Sequence, residues 1–341
     1  METGHFPLLH RQTSKIGLNL IAPLPKLFRL EHMMNFILNR LRQIVTVSSC
    51  LMPIYLILLP STLLGSSQTI AAEPDLPNPI EGLSPLKVAV SLHPYALLAE
   101  EIGGESVVVT TLIGEGLDPH DVEPTPSILR QGSDADLIIL NGGGLDNWAR
   151  RGAREKRPLI AEEVAIAHHS GDSTPGVSWW LDPEVVIFLA EDISERLCLL
   201  RDSSCELFRA RAESLSGALR EIVANSRRAD SGEPRHILSF HQVFGRIASR
   251  LGYQEIGGFA ECETKARTWG MLREARQVIE REGLTVMLVE PFHQKSDDMM
   301  QVARELAVTP LSLDSMGWRS ENYRVFFSDI VAGLRRAGGS L

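Results

Sequence analysis

The feature that most restricts how this chain can fold is an alternation of short apolar β-like runs with helical stretches, which occurs twice. In the first set, strand-like runs at residues 86–92, 107–113 and 136–140 are separated by helical stretches at 94–102 and 126–132. In the second, runs at 236–240, 284–289 and 308–313 are interleaved with helical stretches at 243–251 and 297–306. A β-α alternation of this kind predicts parallel sheets covered by helices, an α/β fold. Between the sets, Asp182 caps a helix that begins at Pro183 and runs to about residue 199. A longer helical stretch then runs from 205 to about 228. Its Phe208, Ala212, Leu215, Leu219 and Ile222 step by four, three, four and three, which makes one apolar face.

The 341 residues suffice for two such units, each with its own core. A composition that is 44% hydrophobic and 23% charged is globular and excludes a largely disordered chain. The N-terminal 72 residues stand apart. Arg40 and Arg42 supply positive charge, residues 44–64 are free of charge and mostly apolar, and a small-residue tail ends at Ala71 and Ala72. That order predicts a secretory signal peptide cleaved near Ala71 or Ala72. An uncleaved membrane anchor is the alternative, since the apolar stretch is long enough to span. Cys50 has no small-residue lipobox before it, and residues 1–32 read as an extension ahead of a start at Met33 or Met34.

Removal of residues 1–72 takes six of the 34 Lys/Arg and two of the 43 Asp/Glu, leaving a net charge of about −13. Such a surface argues against nucleic acid as a partner and is compatible with attracting cations. Cys198, Cys205 and Cys262 would remain. The first two flank six residues, a spacing that allows a local disulfide in an oxidising compartment, with free buried thiols as the alternative. No Cys-x-x-Cys pair is present, so a thiolate zinc site is not expected. The Gly142-Gly143-Gly144 run lacks the spacing of a phosphate cradle and reads as a tight turn.

The segment richest in chemistry is Asp118-Pro119-His120-Asp121-Val122-Glu123-Pro124. Pro119 and Pro124 remove backbone donors and fix φ, so His120 sits on a stiffened loop after a strand-like run. A neutral imidazole held that way suits a borderline metal such as zinc; a plain loop containing a His is the other reading. Four further segments recur in order: the strand and glycine turn of 136–145, Trp180-Leu181-Asp182-Pro183, Ser239-Phe240-His241-Gln242, and Leu313-Asp314-Ser315. Together these segments resemble the zinc/manganese solute-binding proteins of bacterial ABC transporters, over roughly residues 86–335.

The resemblance implies two α/β lobes, each a parallel sheet flanked by helices. One long rigid helix joins them, and a metal cleft lies between. On that scheme residues 1–72 are the extension and signal peptide and 73–85 a linker. Residues 86–202 form the N-terminal lobe, 203–230 the spanning helix and 231–341 the C-terminal lobe. The implied ligands are His120, His241 and Asp314. The fourth family position, two residues before Trp180, holds Ser178, and a neutral hydroxyl is a poor zinc donor. His168 and His169 lie just upstream in a loop of turn formers. They either swing in as the fourth ligand or are solvated loop residues; a bound water is a further possibility. Glu290 and His293, also at a strand end, read as an acceptor orienting an imidazole N–H and as a peripheral ligand, or as solvated loop residues. His93 reads as a structural or surface residue and not as a ligand.

The function so implied is an exported, periplasmic, monomeric receptor that captures zinc, or manganese as the second choice, and delivers it to a membrane ABC permease. An open coordination position also keeps a zinc hydrolase in view. However, the chain has no His-Glu-x-x-His, nucleophile elbow or P-loop, so no enzymatic activity is expected. The departure at Ser178 motivates a different alternative, a divergent relative that has lost metal transport and serves as a binding or scaffold protein.

Overall fold

The computed structural model describes residues 83–153, 156–168, 176–227, 234–260 and 269–339. The expected signal peptide, His169 and Cys262 lie outside them. Strands β1 (Leu86–Val90), β2 (Val107–Thr111), β3 (Leu137–Leu140) and β4 (Leu159–Ile160) form one sheet in the order β2-β1-β3-β4. Strands β5 (Arg235–Ser239), β6 (Tyr253–Gly257), β7 (Val286–Val289) and β8 (Thr309–Ser312) form a second sheet in the order β6-β5-β7-β8. Every pairing is parallel. All four residues of β3 are buried, as expected for a central parallel strand covered on both faces, where no polar alternation survives. Each sheet reverses its strand order beside its first strand, which opens a crevice at the carboxyl ends there.

Helices α1 (His93–Gly103), α2 (Pro126–Asp134), α3 (Asn147–Gly152) and α4 (Ala161–His168) belong to the first sheet; α7 (Gly245–Leu251), α8 (Trp269–Glu282) and α9 (Asp297–Leu306) belong to the second. Between the two sets lie α5 (Pro183–Leu200) and α6 (Cys205–Ser226). The Asp182 carboxylate accepts from the backbone N–H groups of Glu184 and Val185, as the capping reading predicts. A disulfide between Cys198 and Cys205 ties the end of α5 to the start of α6, with the Cα atoms 4.5 Å apart.

The 22 residues of α6 span about 33 Å at 1.5 Å per residue. This helix packs on α5 and α1 along the first sheet and on α7 at the second. Phe208, Ala212, Leu215 and Leu219 are buried on its apolar stripe, and the half-buried Ile222 packs against the same core, as the spacing predicts. The last helix, α10 (Tyr323–Ala337), packs against α1 and α6 and against β5 and β7, and so joins a helix of the first set to the second sheet. One continuous apolar cluster accordingly includes Val88 and Ile139 of the first sheet, Ile237 and Leu288 of the second, and Phe326 of α10. Among the described residues, no helix is long and apolar enough to cross a membrane.

Two buried side chains stitch the sets of elements together near the sheet ends. The Trp180 indole N–H donates to the Ser315 carbonyl at 2.8 Å, and the Tyr323 hydroxyl donates to the Trp180 carbonyl at 2.5 Å. Arg246 of α7 lies 3.6 Å from the ring centroid of Trp179 and donates to the Gly176 carbonyl at 2.8 Å. Arg246 and Arg250 both face the buried Asp182 carboxylate at 3.7 Å. The turn that holds Ser178 is thereby tied to the second sheet.

Candidate metal centre

Strand register brings the first two groups of the site together. Ser239 of β5 pairs with Leu288 of β7, so two residues further along each strand stand His241 and Glu290, side by side at the carboxyl edge. The His241 Nδ1–H donates to Glu290 Oε2 at 2.5 Å, and the other Glu290 oxygen accepts from the Ser315 hydroxyl. Glu290 is 1% exposed. Both of its oxygens are committed, which fixes the His241 tautomer with the Nε2 lone pair available. The sequence expectation that Glu290 orients an imidazole matches this contact.

After Glu290 the chain turns back, with the His293 N–H donating to the Glu290 carbonyl at 3.0 Å. The His293 ring lies with its centroid 5.6 Å from that of His241 and edge-on to Phe240 at 5.4 Å. His241, Glu290 and His293 each offer one donor atom within 4.8 Å of the others. The first set of elements contributes the loop that leaves β2. There Asp118 Oδ1 accepts from the His120 N–H at 2.9 Å and closes a 3₁₀ turn over Pro119–Asp121. The same turn sets the His120 ring edge-on to His241 at 5.8 Å and places Asp118 Oδ2 4.0 Å from His293 Nε2. The imidazoles of His120 and His293, on two different loops, therefore both face that of His241.

The other expected positions fall as follows. Asp314 ends the segment after β8, and its carboxylate accepts from the N–H groups of Met316, Gly317 and Trp318 at 2.8–3.1 Å. The next residue, Ser315, holds Glu290, so Asp314 borders the same edge. Ser178 is 6% exposed and opens the 3₁₀ turn Trp179–Leu181. Gly143 lets that turn approach: its φ is +62°, and a Cβ there would meet Val177 at 2.4 Å. His168 is exposed, stacks on Phe188 of α5 at 3.9 Å, and lines a cavity of about 450 Å³ with Arg150, Lys156, Asp192 and Arg196. The structure thus places His168 in a cavity lined by side chains of both charges, stacked on Phe188. His93 stacks on Trp318 at 4.1 Å and donates to the Met316 carbonyl, a structural role as expected.

The electrostatics separate the two second-set imidazoles. Burial lowers the pKa of His241, but the hydrogen bond and charge of Glu290, with Asp118 and Glu255 beyond, outweigh it and raise the value above 6.5. Burial lowers the pKa of His293, the His241 charge adds to this, and Glu290 and Asp118 only partly oppose it. His293 is therefore the readier neutral donor.

Glu255 on β6 is a group that the sequence reading missed, because a lone Glu in an edge strand looks solvated. Its residue is half-buried, yet the carboxylate is drawn under the N–H groups of Val243 and Phe244, and desolvation raises its pKa from 4.5 to about 7. Folding thus favours the acid form. That stabilisation is complete below about 4.5 and is lost as pH rises through about 7. Glu255→Gln keeps the acceptor oxygen and removes the charge. The variant should melt with wild type at pH ~4.5 and above it at pH ~8, by on the order of 2 kcal/mol once partial solvent access is allowed for. Thermal melts at the two pH values check this, and an offset that does not change with pH would contradict it.

Residues 88–337 match the family profile described as zinc-uptake complex component A, periplasmic. The manganese-binding lipoprotein MntA of Halalkalibacterium halodurans is 24% identical over 247 residues, 68% of this chain and 82% of that one. A zinc-bound deletion mutant of ZnuA superposes with a TM-score of 0.64 at 19% identity, covering 76% of this chain and all of that one. The Pseudomonas aeruginosa protein FpvC in complex with nickel gives a TM-score of 0.59 at 19% identity, covering 76% and 100%.

Proposed function

This chain belongs to the metal-binding solute-binding proteins of ABC uptake systems, a non-enzymatic family, and from that premise we propose that it captures zinc outside the cytoplasm and delivers it to a membrane permease. The observation that carries the choice of metal is the set of facing imidazoles, His120 and His293 each edge-on or tilted to His241 within 5.8 Å. Nitrogen-rich donor sets suit zinc, whereas manganese favours oxygen. Names among the relatives include manganese, zinc and nickel binders, so the donor set of this chain, not its kinship, supports zinc.

On this reading His120, His241 and Asp314 are ligands. The three N–H groups on Asp314 support that role, because a ligating carboxylate is oriented by its own hydrogen bonds. Zinc should stabilise the purified protein by mass action, since the unfolded chain has no converged site. At about a thousand times the dissociation constant the gain is about 4 kcal/mol, and manganese at equal concentration should give less. Thermal melts with zinc, manganese and chelator make the test. Melting that is indifferent to both metals would favour the alternative of a relative that has lost metal transport.

A further inference from the structure

We propose that His293 is the fourth ligand of the transported ion, in the place that Ser178 does not fill, so that the ion is held chiefly by the loops of the second sheet. The inference rests on the metal-capture reading above and adds to it a ligand from a different loop, which changes the donor set from which selectivity follows.

Three observations lead there. First, the fourth position of the family scheme holds a neutral hydroxyl that is 6% exposed, which cannot match an imidazole as a zinc donor. Second, the nearest described alternative, His168, is stacked on Phe188 among the residues of another cavity. Third, His293 is already in place. It offers a donor atom within 4.8 Å of one on His241, and its Nε2 faces Asp118 Oδ2 at 4.0 Å. A single ion that ligates two groups holds their donor atoms a little over 3 Å apart when each bond is near 2.0–2.1 Å, a separation that the 4.8 Å bound for His241 and His293 approaches.

The His293 ring is also held in position. Phe240 lies edge-on at 5.4 Å and Phe292 tilted at 4.6 Å. The backbone N–H of Ser296 donates to the His293 carbonyl at 3.0 Å, which closes the turn leading into α9. Glu290 takes the orienting role instead, since its carboxylate accepts from the His241 Nδ1–H and from the Ser315 hydroxyl. Three imidazoles and one carboxylate then surround the ion. That set favours zinc, or nickel, over manganese.

The test is calorimetric titration of the purified protein with Zn2+ and with Mn2+, in wild type, His293→Ala, His293→Phe, His120→Ala and His168→Ala. His293→Phe retains a ring against Phe240 and Phe292, so a variant that folds is available even if alanine loosens the turn; metal-free melting of each confirms folding. The expected result is a loss of zinc affinity of about tenfold to a hundredfold for both His293 variants, with the zinc-over-manganese ratio reduced by a similar factor. Cobalt-loaded wild type should also change its visible absorption on losing this imidazole. If the His293 variants keep wild-type affinity while His120→Ala loses it, the inference is overturned and the metal-capture reading stands. Loss in His168→Ala with none in the His293 variants also overturns it. If neither the His120 nor the His293 variants change the affinity, the metal-capture reading itself fails.

Discussion

Replacing His241 with alanine should lower zinc affinity by about a hundredfold or more. Loss of a group that merely orients a ligand costs about tenfold to a hundredfold, and loss of the ligand around which the others are arranged lies at or above the top of that range. The effect is large because His241 is the hub of the site: the rings of His120 and His293 both face it, and Glu290 is spent on holding it. Glu290→Gln should fall in the lower range, since the amide oxygen still accepts from Nδ1–H but without a full charge. Competition against a chelator of known affinity measures both. The loss of affinity on acidification should begin above pH 6.5 in wild type, because the His241 pKa is raised and protons compete with the metal there. A His241→Ala affinity within threefold of wild type would remove the site from this edge of the sheets.

Arg246→Ala should destabilise the metal-free protein by about 3 kcal/mol. The guanidinium is 4% exposed, faces the fully buried Asp182 carboxylate at 3.7 Å, and lies over the Trp179 ring. Truncation leaves a buried carboxylate with a weaker cationic environment and opens the space against the indole. Arg250 also faces Asp182 at 3.7 Å, which keeps the loss from the top of the range for broken buried pairs. Denaturant unfolding of the metal-free variant is the measurement. A loss below about 0.5 kcal/mol, the level of an ordinary surface substitution, would show that the clasp contributes little. The residue also joins α7 to the turn that begins at Ser178, so zinc affinity should fall in the same variant by less than in His241→Ala.

Where order along the chain and local chemistry suffice, the sequence alone determined the result. Apolar runs alternating with helical stretches specify two parallel sheets, since a parallel crossover needs a helix between its strands. Asp182 before Pro183 and the apolar stripe of α6 were legible because capping and periodicity act within a few residues. The α10 stripe of Tyr323, Phe326, Phe327, Ile330, Val331 and Leu334 carries the same signal and went unread; β6, an edge strand ending in glycine, carries almost none.

Tertiary structure decided which residues meet. His241 and Glu290 are 49 residues apart and become neighbours through the register of β5 on β7. His293 gains its place from a turn that folds back beside them. His168, only 12 residues before Trp180 and equally plausible by its chemistry, is carried by the end of α4 onto Phe188 instead. Spacing along a chain constrains local conformation, but a metal ion requires donor atoms to converge within a few ångströms. That convergence depends on strand register and loop closure, which no short stretch of sequence encodes.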